Sequence, residues 1–133
     1  MAKWANADVL DNGPNYIKTN CNKLALISSY TAGASYATVN AAILAEVTMA
    51  TGDFTLGASG SDRTLTTLAK ANSEDATSAN AGGGSASNHL ALVDTTNSKV
   101  LWVTEETSGQ AVTAGNPVTF PSLVYTSKQP VAP

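Results

Sequence analysis

The sequence predicts an all-β protein, an antiparallel β-sandwich of jelly-roll type with at most a short helical turn. Short apolar runs recur along the chain, turn-forming residues separate them at intervals of roughly 8 to 12 residues, and no strong helical pattern appears. The chain has 133 residues, which fits one domain with its own core. We expect a single domain over residues 1–133, with an N-terminal arm over about residues 1–22 and an extended C-terminal tail over about residues 127–133.

The first half of the chain contains one clear strand and one ambiguous segment. Residues 23–30 (KLALISSY) alternate as a strand does, with Leu24 and Leu26 on one face. Between residues 35 and 50, apolar residues at every fourth position favour a helix, whereas alternation near the end favours a strand. We interpret this segment as a short helical turn near 35–40, capped by Ser35, and then a strand over about 42–49. One face of that strand would carry Ile43, Ala45, Val47 and Met49.

The middle of the chain predicts two strands and two loops. Residues 54–56 begin a strand, residues 57–62 form a loop rich in turn formers, and residues 63–71 (RTLTTLAKA) have the composition of a strand. Residues 72–88 contain three consecutive glycines and almost no side chain suited to a core. A loop of this length is uncommon in a compact domain and is usually mobile or functional.

The last third predicts a hairpin and a closing strand. Residues 89–94 (HLALVD) and 100–105 (VLWVTE) form the hairpin, with a loop of about five residues and Trp102 in the core. Residues 118–126 form the closing strand, and Pro121 within it indicates a sheet edge or a bulge, because proline cannot donate a ladder hydrogen bond.

Charge and cysteine usage exclude several classes of protein. Charged residues make up 13% of the chain, against roughly 25% in an average soluble protein, and the net charge is −3. The seven basic residues are dispersed, so we expect no nucleic-acid binding, which requires a concentrated positive face. Cys21 is the only cysteine, and we interpret it as a small buried apolar residue rather than a reactive thiol. No apolar run approaches the roughly 20 residues that span a bilayer, and the first residues lack the pattern of a signal peptide, so we expect no membrane partner.

The candidate catalytic, cofactor and metal motifs do not meet the requirements of their chemistry. His89, the only histidine, would need Asp94 or Asp53 to orient it and a serine in a nucleophile elbow, and no such elbow is present. The turns at residues 11–13 and 52–53 do not continue into the ligand spacing of an EF-hand, and the triple glycine lacks the Lys-Ser/Thr of a phosphate loop. We therefore predict no catalytic residue, no cofactor and no metal, and that the protein is not an enzyme.

Apolar residues near the two termini are the candidates for contact with another chain. Trp4 lies in the predicted arm with few apolar neighbours, and aromatic residues of this kind anchor interfaces. The prolines of the tail favour an extended segment that could reach a neighbour. The full set of interface candidates is Trp4, Val9, Leu10, Tyr16, Ile17, Pro130 and Val131.

Three segments carry a resemblance to a known class of protein. They are residues 1–10 (MAKWANADVL), 30–38 (YTAGASYAT) and 100–130 (VLWVTEETSGQAVTAGNPVTFPSLVYTSKQP). In the texture and order of these segments the chain resembles the small virion proteins of tailed bacteriophages, in particular capsid decoration or cement proteins. The likeness covers most of the chain apart from the glycine-rich loop, and it singles out no functional residue.

The resemblance implies a β-sandwich that binds the outside of an assembled phage head and stabilises it. Its partners would be the major capsid protein and copies of itself, as a dimer or trimer. The protein would be made in the host cytoplasm and would be located on the capsid surface of the virion. The alternatives are a receptor- or carbohydrate-binding module of a head or tail fibre, and a tail or connector subunit, for which the 72–88 loop could help to form a ring.

Overall fold

Two antiparallel β-sheets pack face to face in the computed structural model, which describes residues 4–5, 13–59, 62–70, 88–105 and 120–127. The strands are β1 (Trp4–Ala5), β2 (Lys23–Ile27), β3 (Ile43–Thr48), β4 (Phe54–Ser59), β5 (Asp62–Thr67), β6 (His89–Asp94), β7 (Lys99–Glu105) and β8 (Val124–Ser127). The larger sheet has the order β1-β7-β6-β2-β3, and the smaller has the order β4-β5-β8. This confirms the prediction of an all-β, sandwich-like fold. The division into five and three strands does not confirm the jelly-roll arrangement.

The main core fills the space between the two sheets. Alternation along β2 directs Leu24 and Leu26 into it, as the sequence predicted, and β6 adds Leu90 and Leu92. All six residues of β6 are buried, because this central strand is covered on both faces. The small sheet and the segments beside it complete this core with Phe54, Leu65 and Phe120.

A second apolar layer covers the opposite face of the five-stranded sheet. Helix α2 (Tyr36–Ala41) follows Ser35, whose Oγ accepts a hydrogen bond from the backbone N–H of Thr38 at 3.2 Å. The helix and the loop before it pack on the strands with Tyr30, Ala34, Tyr36 and Val39, against Ala25, Ile27, Ala91, Val93, Val100 and Val103. The prediction of a capped helical turn followed by a strand is therefore confirmed.

Two β-bulges change which face several side chains occupy. The register of β3 against β2 shifts at Leu44, so Leu44 and Ala45 both reach the main core while Ile43 packs on the opposite face. The prediction that Ile43 and Ala45 share a face was wrong for this reason. A similar shift in β7 places Leu101 and the half-buried Trp102 together against the main core. Strict alternation in a sequence cannot reveal an extra residue of this kind.

Part of the predicted N-terminal arm is a helix inside the domain. Helix α1 (Pro14–Asn20) begins at a proline, which fits the first helical position because its missing N–H would have no helical partner there. Gly13 precedes it with φ of +67°, a conformation that glycine adopts at little cost. The Gly13-Pro14 pair is therefore a helix start, and the interpretation of this segment as a turn within an arm is corrected.

The remaining elements differ from the predictions mainly at their ends. Residues 57–62 were predicted to form a loop. Instead, β4 and β5 pair as far as Ser59 with Asp62, so only residues 60 and 61 lie between the paired positions. The β6–β7 hairpin has the predicted place and nearly the predicted bounds. Phe120 forms an isolated bridge with Lys70, and β8 begins only at Val124, so Pro121 interrupts the predicted closing strand.

Candidate functional site

The small sheet has one face that the described part of the chain leaves open to solvent. The register aligns Thr55, Thr66 and Val124 in one row across the three strands, and Gly57 and Thr64 align with Thr126 in the next. Leu68 continues the same face beyond the end of β5. We call the surface formed by these two rows and Leu68 the outer sheet face, and the third row of the same register, Ser59 with Asp62, lies next to it. The members of the outer sheet face are Thr55, Gly57, Thr64, Thr66, Leu68, Val124 and Thr126.

The seven residues of the outer sheet face are uncharged and partly apolar, whereas the next row of the register contains Asp62. Leu68 and Val124 are the two most exposed large hydrophobic residues in the described chain, at 53% and 54%. Four of the other five members are threonines, which present a methyl group and a hydroxyl rather than a charge. Removing such a surface from water costs far less than removing charged side chains, so its chemistry suits contact with another protein surface.

Gly57 leaves its position on this face without a side chain. A Cβ at this position would lie 3.1 Å from Oγ1 of Thr64 on the adjacent strand, so a larger side chain would require the threonine to move. The glycine therefore leaves the Thr64 hydroxyl in place and the surface around it without a protruding side chain.

A polar pocket of about 410 Å³ lies at one end of the sandwich. The last turn of α1, the β3–β4 connection and the β6–β7 turn form its wall, with Asn20, Asn22, Thr51, Asp94 and Asn97 among the lining residues. Carboxylate, amide and hydroxyl groups of this kind can bind small polar molecules through hydrogen bonds.

Several polar groups of this pocket already have partners within the fold. Asp94 is 1% exposed, and its Oδ1 accepts hydrogen bonds from the N–H groups of Thr96 and Asn97 at 3.0 and 3.2 Å. Its Oδ2 accepts from Nδ2 of Asn97 at 2.7 Å. Asn22 donates from Nδ2 to Oγ1 of Thr95 and accepts from the Thr95 N–H through Oδ1. These bonds shape the β6–β7 turn and fasten it to the start of β2.

Cys21 lines the same pocket but is not poised to react. The residue is 4% exposed, and burial raises the pKa of its thiol from the ordinary 9.0 to about 12. Sγ lies 3.4 Å from the carbonyl oxygen of Lys23, to which it donates. Because the thiolate is the nucleophilic form, this thiol is chemically quiet at neutral pH. The interpretation of Cys21 as a buried apolar residue is confirmed.

His89 lies at the opposite end of β6 from Asp94. Asp94 is five positions after His89, so the two occupy opposite faces of the strand at a distance of roughly 17 Å along it. Asp94 therefore does not orient His89, whose ring instead lies 6.0 Å from that of Tyr30. Asp53, the other carboxylate considered, accepts from the Ala50 N–H at 2.8 Å and pairs with Lys70 at 2.7 Å. The hydrogen bond from Lys70 lowers the pKa of Asp53.

Asn88 is buried beside His89, at 1% exposure. Within the described residues, neither Oδ1 nor Nδ2 of its amide has a hydrogen-bond partner. It is the only residue of the predicted 72–88 loop among the described residues.

The predicted interface candidates fall into three groups. Ile17 is fully buried in the main core of its own chain and Tyr16 packs against that core, so Ile17 is not available to a partner in this fold. The backbone of Trp4 pairs with Val103 at the edge of the larger sheet. Val9, Leu10, Pro130 and Val131 lie outside the described residues. The described structure does not bring these candidates together into one surface.

Sequence reasoning missed the outer sheet face. Its signal is the alternation in residues 63–68 (RTLTTL) and 123–126 (LVYT), where every second residue is a threonine, a valine or a leucine. This pattern identifies one face of each strand, but not whether another layer of the protein covers it. Only the packing of the two sheets settles which face remains open.

The described residues form neither a metal centre nor a membrane-spanning helix. No three His, Cys, Asp or Glu side chains converge as metal ligands within the described ranges. None of the helices described here is long and apolar enough to cross a membrane. Comparisons with protein-family models, curated proteins and solved structures found no match.

Proposed function

We propose that this chain is a structural virion protein, a decoration or cement protein that binds the outer surface of an assembled phage head and stabilises it. The observation that carries the proposal is the outer sheet face, an exposed surface of hydroxyl and apolar groups on a charge-poor β-sandwich. In this proposal the partners are the major capsid protein and other copies of the chain on the particle, and the protein is located on the capsid surface.

The physical logic of the proposal follows from mass action. A protein that binds only the assembled shell stabilises that shell relative to its free subunits, by an amount that grows with concentration above the dissociation constant. Many copies repeated by the symmetry of the shell add these contributions. The chain needs no chemistry for this task, only a stable fold and a surface that matches the shell.

The test is co-sedimentation of the purified chain with assembled phage capsid shells and, separately, with unassembled subunits of the same major capsid protein. We expect saturable binding to shells and an upward shift of their thermal disruption temperature. Binding to subunits alone, or to neither form, would contradict the proposal. Bovine serum albumin serves as the control for protein that is carried into the pellet without binding to shells.

The polar pocket favours a second candidate, a carbohydrate- or receptor-binding module of a head or tail fibre. A groove of amides, hydroxyls and a carboxylate at one end of a sandwich is a plausible type of glycan site. Titration with a glycan panel, followed by NMR, would test it. Shifts confined to Asn20, Asn97 and their neighbours would support this function, and no shift at millimolar sugar would exclude it.

A further inference from the structure

We infer that the polar pocket at one end of the sandwich binds a neutral sugar, a ligand rich in hydroxyl groups and without charge. This inference rests on the second candidate function, the carbohydrate-binding module, and deepens it by assigning the charge of the ligand and the groups that contact it. It does not depend on binding to shells. Three features carry it: the size of the pocket, the unpaired polar groups in its wall, and the enclosure of the charged side chain in that wall.

The size and the apolar part of the wall suit a small ring. Pockets that bind small molecules have volumes of about 300–1,000 Å³, and this pocket, at about 410 Å³, is near the lower end of that range. Cys21 and Met49, both members of the main core, add apolar atoms to the wall, and the exposed Ala50 adds a methyl group. These atoms can contact the C–H groups of a sugar ring while its hydroxyl groups reach the polar part of the wall.

The polar part of the wall contains groups that have no hydrogen-bond partner among the described residues. They are the hydroxyl groups of Thr19 and Thr51 and the side-chain carbonyl oxygens of Asn20 and Asn97. The Nδ2 atoms of both asparagines, in contrast, already donate within the fold. The wall therefore offers carbonyl oxygens, which accept, and hydroxyl groups, which donate and accept. A ligand with several hydroxyl groups matches this set, because each of them can donate to an asparagine and accept from a threonine.

Charge selects among such ligands. Asp94 is the one charged residue among the described residues that line the pocket, and it is 1% exposed with both carboxylate oxygens bonded to the β6–β7 turn. A carboxylate on the ligand would face this negative charge and the carbonyl oxygens of Asn20 and Asn97, and would lose hydration without gaining a positive partner. An ammonium group would also lose hydration, while the turn encloses the carboxylate that could pair with it. The pocket therefore favours a sugar without charge.

The test is an NMR titration of the isotope-labelled chain at pH 6.5 with methyl glycosides of glucose, galactose and mannose. Each neutral sugar is compared with its own uronic acid and its own 2-amino sugar, which keep the ring and add a negative or a positive charge. We expect at least one neutral sugar to shift the backbone signals of Asn20, Thr51 and Asn97 at millimolar concentration. Its uronic acid should bind more weakly by about tenfold or more, because the carboxylate loses hydration without a positive partner. Its amino sugar should bind no more tightly than the neutral form.

Two substitutions in the wall and a matched control locate the binding. Thr19→Val and Thr51→Val each remove one hydroxyl group from the wall at an exposed position. Thr48→Val makes the same change at an exposed position of β3 that does not line the pocket. We expect the affinity for the neutral sugar to fall by about threefold to tenfold in the wall variants, which is the effect of one lost hydrogen bond, and to stay within about twofold in the control. The NMR spectrum of each free variant verifies that it is folded.

The outcomes separate this inference from the functions proposed above. Equal affinities for a neutral sugar and its uronic acid would overturn the inference and leave the second candidate function standing. A tighter amino sugar would identify an amine as the ligand and overturn the inference as well. A neutral sugar that binds both wall variants as tightly as the control binds elsewhere, which contradicts the assignment of the pocket. If no sugar shifts a pocket signal at millimolar concentration, the inference and the second candidate function both fail, while co-sedimentation decides the capsid function independently.

Discussion

At the scale of single residues, the buried carboxylate of Asp94 organises the β6–β7 turn. It accepts three hydrogen bonds from Thr96 and Asn97, and none from a side chain of another element among the bonds described. Replacing it with alanine leaves two backbone N–H groups without their acceptor. We expect Asp94→Ala to lower the free energy of unfolding by about 1–3 kcal/mol, measured by urea unfolding.

The control for this prediction is Thr96→Ala in the same turn. Its hydroxyl makes only a long contact of 3.5 Å with Nδ2 of Asn22, so we expect a change within about 0.5 kcal/mol. Asp94→Asn should fall between the two variants, because the amide keeps one accepting oxygen. Equal stability of Asp94→Ala and wild type would show that water replaces the carboxylate at no cost.

Cys21 provides a prediction about pH. Its folded-state pKa of about 12 exceeds the ordinary 9.0, so the unfolded chain loses this proton first as the pH rises. The contribution of the thiol to stability is complete below pH 9 and declines as the pH rises towards 12. We expect the free energy of unfolding to fall less steeply between pH 8 and 10.5 in Cys21→Ala than in the wild type.

A labelling experiment checks the same thiol by a separate route. At pH 8 the folded chain should react with a thiol reagent far more slowly than the chain in 8 M urea, because burial both shields Sγ of Cys21 and disfavours its thiolate. In the pH experiment, Tyr30 and Tyr125 also have pKa values raised by burial. Both tyrosines are present in the wild type and in Cys21→Ala, so the difference in slope between these two proteins reports Cys21 alone. Parallel alkaline slopes in wild type and Cys21→Ala would refute the pKa assignment.

At the scale of elements, α1 is a short helix held by the core rather than by its own propensity. Seven residues are too few for a helix to persist alone, so packing must stabilise it. Ile17 supplies that packing from a fully buried position, and Nζ of Lys18 donates to the carbonyl oxygens of Thr51 and Phe54 at 3.2 and 2.6 Å. The helix is thereby tied to the β3–β4 connection.

This role distinguishes a core residue from an interface residue. We expect Ile17→Ala to lower the free energy of unfolding by about 2–5 kcal/mol, since it creates a cavity in the main core. Asn15→Ala, on an exposed position of the same helix, is the control and should change stability by less than about 0.5 kcal/mol. An Ile17→Ala chain of unchanged stability that no longer binds shells would restore the interface role predicted from the sequence.

At the scale of the whole molecule, the low charge of the chain predicts how its proposed contact responds to salt. Salt screens attraction between charges but has little effect on uncharged contacts. We expect the affinity of the chain for shells to change less than about threefold between 50 and 500 mM NaCl. Electron microscopy at both salt concentrations verifies that the shells are intact. A loss of tenfold or more would assign the binding to charged groups instead of the outer sheet face.

The fold also shows which of its features the sequence patterns could predict. The apolar runs in residues 23–30 and 89–94 predicted β2 and β6, and the alternation in the first run also predicted that Leu24 and Leu26 share a face. The bulges at Leu44 and Leu101 were not predictable, since an extra residue is accommodated only when two strands meet. Helix α1 was missed because Gly13-Pro14 is equally compatible with a turn.

The properties of the chain likewise fall into those that the sequence determined and those that only the tertiary structure decided. Sequence alone determined that the chain is charge-poor, that it folds mainly as β-strands, and that Cys21 is better suited to a core than to chemistry. These properties depend on composition and on local alternation, which act over a few residues. Tertiary structure alone decided that Ile17 belongs to the core and that the described residues leave the threonine-rich face of the small sheet open. Burial depends on which elements pack together, and that choice is made by contacts between residues far apart in the chain.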